Sequence, residues 1–135
     1  MEPMSPKQLQ TCRRLTLLSV CIYVISLPLP AIQQDGSDAM TGFGIFLWFP
    51  ICCIHAAAWA NLTLALGWYG LLIGNVFGAA TMGATSLALA ASCCIGPITG
   101  IDGLQVGYWV WVGSMVVVLT APLFVRAYPN SVAAE

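Results

Sequence analysis

Apolar positions dominate this chain so heavily that the few polar stretches do the punctuating. Between Ala39 and Ile101 lie 63 consecutive residues without an Asp, Glu, Lys or Arg. Four apolar stretches emerge: Leu15–Ile32, Phe43–Leu66, Leu71–Ile95 and Gly107–Val125. The first would be roughly 27 Å long as a helix at 1.5 Å per residue, just enough for a hydrocarbon core. These spacings predict an all-α integral membrane fold, a bundle of four antiparallel transmembrane helices in one domain over 1–135. Pro28 and Pro30 predict an irregular last turn in the first stretch, and Pro50 predicts a kink in the second. Gln33–Gly42 and Gly96–Gly107 read as outer loops, each with an Asp-Gly turn signal. Gly67-Trp68-Tyr69-Gly70 reads as a tight inner turn, and Met1–Arg14 as a poorly ordered tail.

Within the third stretch, Gly70, Gly74 and Gly78 lie four residues apart, extended by Gly67 before them and by Thr81 and Thr85 after them. Small residues at this spacing share one helix face and let a second backbone approach closely, so they read as a glycine-zipper packing seam. With a turn centred near Trp68-Tyr69, Asn61 and Asn75 fall at equal depth, and His55 falls level with Thr81. An Asn61–Asn75 amide pair and a His55–Thr81 bond are therefore the expected polar pairings between the second and third helices.

Charge narrows the picture further. The four Lys and Arg residues against five Asp and Glu give a net charge of −1, which excludes a nucleic-acid-binding surface. Lys7, Arg13 and Arg14 precede the first apolar stretch and Arg126 follows the last, while Asp35, Asp38 and Asp102 lie in the intervening loops. That asymmetry predicts cytoplasmic termini. The positive start and apolar centre of the first stretch also fit a signal peptide, but no small-x-small cleavage site follows, so a retained anchor is expected. The six cysteines read as small buried apolar residues.

Candidate chemistry is sparse. His55, inside the second stretch, is an intramembrane ionisable group and so a candidate haem or quinone contact, with Cys52 three residues before it. A tightly held metal needs three or four ligands, and the sequence offers too few at one depth. Thiol redox chemistry by Cys93-Cys94 would require an adjacent pair to bridge and a cation to activate it. A small proton-coupled exporter needs a carboxylate in its first span, and Leu15–Ile32 has none, which leaves a pore subunit as the transport alternative. Asp35, Asp38 and Asp102 read as solvated turn residues rather than a cation site.

Trp59-Ala60-Asn61-Leu62, Gly67-Trp68-Tyr69-Gly70 and Tyr108-Trp109-Val110-Trp111 resemble motifs of small uncharacterised bacterial inner-membrane proteins with four spans. Leu62 stands where that group usually has proline. The resemblance implies a multi-pass location in a bacterial inner membrane and no activity. Together these observations predict a non-enzymatic protein that contacts the lipid bilayer. It would act by helix association with another membrane protein or itself, as an accessory subunit or an immunity-type protein.

Overall fold

The computed structural model describes residues 4–34, 40–47, 56–92 and 101–126. Helix α1, Pro6–Ser26, starts nine residues before the apolar stretch, inside the segment expected to be a loose tail. Its start is fixed by a reciprocal cap: the Gln8 amide donates to Ser5 Oγ at 3.3 Å, and the Ser5 amide donates to Gln8 Oε1 at 2.9 Å. Pro6 at the first helical position loses no hydrogen bond there. Pro28 and Pro30 then deny the next turn its donors, and the chain leaves the helix after Ser26 through a turn closed by Leu29 N to Ser26 O at 3.2 Å.

Strand β1, Pro30–Gln34, is the centre of a three-stranded antiparallel sheet, between β2, Met40–Thr41, and β3, Ile101–Leu104. Ile32 faces Met40 on one side and Leu104 on the other, and Gln33 faces Gly103. Both segments read as outer loops therefore contribute strands. The physical reason is proximity: helices that end together bring two extended segments side by side, and their backbone groups need partners. Helix α2, Gly42–Leu47, follows directly, tied to the end of α1 by Phe43 N to Leu27 O at 2.7 Å.

Helices α3, Ala56–Leu72, and α4, Val76–Ala91, form a hairpin whose turn is Ile73-Gly74-Asn75. Gly74 has φ +79°, the Asn75 amide donates to Gly70 O at 2.8 Å, and the Gly74 amide donates to Leu71 O at 3.1 Å. That pair of bonds around a left-handed glycine is the Schellman arrangement that ends a helix. The turn expected at Gly67–Gly70 is helical instead, since glycine alone does not stop a helix whose faces are packed.

Helix α5, Val106–Arg126, closes the fold. It lies against α1 and α4, and α3 completes the group through α4 and, less extensively, α1 and α5. Ser19 meets Ser114, and Tyr108 meets Ala90, so α5 runs antiparallel to both α1 and α4. The buried core is built from Leu64, Leu71, Met115 and Val118 with Ala60, Ala79 and Ala90 between them.

The expectation of four transmembrane helices with cytoplasmic termini is corrected by these helix bounds. Among the described residues one helix, α5 with 21 residues, is long and apolar enough to cross a membrane. At 1.5 Å per residue it reaches about 31 Å, against a hydrocarbon core of about 30 Å. Helix α1 carries Lys7, Arg13 and Arg14 in its first half, and its uncharged part from Leu15 to Ser26 reaches only about 18 Å. Helix α4 is apolar but has 16 residues, about 24 Å. The sheet, absent from the expected bundle, takes the residues that would have lengthened α1.

Candidate functional site

Several polar side chains of the described residues meet at the helix interfaces, and others bond only within their own helix. Asn61 and Asn75 are not partners. Once the turn moves to Gly74, Gly70 rather than Asn61 comes level with the start of α4, and each amide takes a different role. Asn75 is the N-cap of α4, its Oδ1 accepting from the Gly78 amide at 2.9 Å. Asn61 accepts from the Trp111 indole N–H at 2.9 Å, which ties α3 to α5.

The glycine series separates in the same way. A Cβ on Gly70 would stand 3.2 Å from both the Cβ and the amide nitrogen of Ala79, so the α3–α4 backbones touch there. A Cβ on Gly67 would stand 2.9 Å from Val118 Cγ1, in α5. Gly74 and Gly78 lie off that seam: one occupies the left-handed turn position, and the other packs beneath the Asn75 cap. Thr81 and Thr85 are exposed, and their hydroxyls donate back to Phe77 O and Thr81 O on their own helix. The face of α4 that packs inward is Ala79, Gly83, Ser86 and Ala90. At Gly83 an added Cβ would lie 2.8 Å from the backbone nitrogen of Leu119, so the α4 and α5 backbones approach closely there.

Small hydroxyls and indoles knit these faces together. Trp68 Nε1 donates to Ser19 Oγ at 2.8 Å, and Ser19 Oγ donates to Ser114 O at 2.8 Å, a relay across α3, α1 and α5. Ser86 Oγ donates to Ala60 O at 2.5 Å, and Tyr108 Oη donates to Ala90 O at 2.8 Å. Tyr23 meets the edge of Trp68 with ring centroids 5.4 Å apart and planes at 82°, a favourable quadrupole geometry. Every buried side-chain nitrogen or oxygen among the described residues has a hydrogen-bond partner. The arrangement locks helices in register and leaves none of these atoms aimed at an empty cavity.

His55, Cys52, Cys53, Cys93, Cys94, Asp35 and Asp38 lie outside the described residues, and Asp102 belongs to β3. Cys12 is fully buried, and burial pushes its thiol above the ordinary range, so it is neutral and unreactive. Among the described residues no three His, Cys, Asp or Glu side chains gather as metal ligands. Sequence reasoning missed Ser19, Ser86, Ser114, Trp68, Trp111 and Gly83 as interface residues. A signal was present: Cys12, Thr16 and Ser19 are small or hydroxylated at helical spacing on a helix otherwise rich in leucine, valine and isoleucine.

No family model, curated protein or solved structure matches the chain.

Proposed function

We propose that this chain works in a membrane, anchored by α5, as a non-catalytic partner that packs its helices against another membrane component. The observation that carries this reading is the large apolar surface left exposed while small hydroxyl side chains are buried. Buried positions include Thr16, Ser19, Ser86 and Ser114, while Leu17, Ile25, Leu66, Phe77, Leu123 and Phe124 are exposed. A water-soluble domain hides large side chains and shows polar ones. Extended exposed apolar surface marks a protein's contact with lipid or with another protein. A bacterial inner membrane is the location that the resemblance of the tryptophan- and glycine-containing motifs implies.

One face favours a partner helix over lipid alone. Trp59, Leu62, Leu66 and Tyr69 are spaced three, four and three residues apart along α3, and all are 42–61 % exposed. That is the ridge a second helix fills by knobs-into-holes packing. An accessory subunit and an immunity-type protein would both use such a ridge, and they differ in which partner it holds.

Alkaline carbonate extraction of membranes from cells expressing the chain tests the location. The reading expects the chain to stay in the pellet until detergent is added, and release by carbonate alone would overturn it. Purification in mild detergent tests the partner. A stoichiometric companion, or a second copy, should be retained by the native chain and lost from Leu62→Ala/Leu66→Ala, whereas a monomer in both preparations would refute association.

A further inference from the structure

The fold gathers charge at one end. Lys7 is in the first turn of α1, Arg126 is the last residue of α5, and the antiparallel packing places both beside the α3–α4 turn. Gly74 in that turn lies against Met4, at the start of the chain's described part. Arg13 and Arg14 follow two turns along α1, so all four basic residues of the chain occupy this half of the molecule. Asp102, the single acidic residue among those described, is in the sheet at the opposite end. Arg126 is exposed and has no carboxylate near it among the described residues.

Immediately beside Arg126 is an open groove of about 180 Å³ between the start of α4 and the end of α5. Val76, Phe77, Pro122 and Val125 line it, with Arg126 at its border. Phe77 is 83 % exposed, the most open large apolar side chain among the described residues. An apolar groove with an arginine in its wall, whose carbon stem lines it and whose guanidinium can reach beyond it, suits an amphipathic occupant such as a phospholipid. Acyl carbons suit the apolar walls, and a phosphate diester suits the forked donors of arginine.

We propose that this groove binds an anionic phospholipid, its phosphate held by Arg126 and its upper acyl chain lying against Phe77, Pro122 and Val125. Charge complementarity selects the occupant: Lys7, Arg13 and Arg14, on α1 in the same half of the molecule, favour a headgroup with net negative charge over a zwitterionic one. The site rests on the membrane reading above, since α5 then puts Arg126 at headgroup depth.

Reconstitution of the full chain separates the two ideas. Flotation with vesicles of pure phosphatidylcholine asks only whether the chain enters a membrane, and failure there would overturn the membrane reading together with the site. For chain that does float, lipid retention is measured by native mass spectrometry after titration with phosphatidylglycerol or phosphatidylcholine. Phosphatidylglycerol should bind more tightly than phosphatidylcholine, and Arg126→Gln should weaken it about tenfold while Lys7→Gln weakens it less than about twofold. Phe77→Ala, a surface change that leaves the core intact, should weaken both lipids. Equal affinity for the two lipids in the native chain would overturn the site, with the membrane reading still standing. An equal loss in Arg126→Gln and Lys7→Gln would mean diffuse surface attraction and would also overturn it. So would a dimer that dissociates in Phe77→Ala with lipid retention unchanged, because a second copy would then fill the groove.

Discussion

At Gly83 the distance between α4 and α5 is set by the absence of a single carbon. A methyl group there would meet the Leu119 nitrogen at 2.8 Å, and backbone cannot swing aside as a long side chain can. Gly83→Ala should therefore lower stability by about 1–3 kcal/mol, read from thermal unfolding in detergent. Gly74 imposes a different constraint, conformational rather than steric, because its φ of +79° is left-handed and its near neighbour is the flexible Met4 side chain. Gly74→Ala should cost about 1–2 kcal/mol and Gly74→Asn distinctly less, since asparagine tolerates that region. Equal losses in the two variants would mean that contact with Met4, not backbone strain, governs the site. The Asn61–Trp111 bond makes a third test at this scale. Trp111→Phe and Asn61→Ala should each be destabilising, with a coupling in the double mutant of about 0.6–2 kcal/mol. Cys12 adds a pH dependence: its folded thiol titrates above the unfolded one, so its contribution holds below the unfolded value and falls as pH rises through it. Cys12→Ala should flatten the loss of stability on the alkaline side.

The helices owe their ends to a few local devices. Ser5 and Gln8 start α1, Pro28 and Pro30 stop it, Gly74 stops α3, and Asn75 starts α4. Gly67 and Gly70 show the limit of reading punctuation from residue type. Both are potential breakers, yet each is buried against a neighbouring helix, and that packing keeps them helical. Moving the turn by a few residues re-aims the whole hairpin, which is why Asn61 and Asn75 part company and Thr81 and Thr85 face outward. Ser5→Ala removes one half of the reciprocal cap and should cost about 1 kcal/mol, visible as fraying of the first turn of α1 in amide exchange.

Across the molecule, the surface reads as apolar flanks between a basic end and a sheet-bearing end. Trp59 and Trp109 are about half exposed on those flanks, whereas Trp68 is more enclosed and bonded to Ser19. In vesicles of brominated lipid, tryptophan fluorescence should fall, and Trp109→Phe, on a flank away from the α3 ridge, should reduce the quenchable signal. Quenching that persists at its native extent in Trp109→Phe would mean that this flank of α5 does not meet lipid.

The chain's order of apolar and polar residues by itself determined that its described part would be largely helical, apolar and poor in charge. It also determined that the basic residues would lie outside the apolar stretches and that small residues would form helix contacts. Those properties belong to local composition and to the 3.6-residue period, which need no knowledge of neighbours. Tertiary structure alone decided which small residues meet, that Gly70 opposes Ala79 and Gly83 opposes Leu119, and that Asn61 bonds to Trp111. It also decided that Ile32 pairs in a sheet instead of ending a helix, leaving α5 as the one helix among the described residues with the reach to cross a membrane. Pairing of backbone groups and the closeness of two helix axes are settled between segments far apart in the chain, where the period of neither segment carries the information.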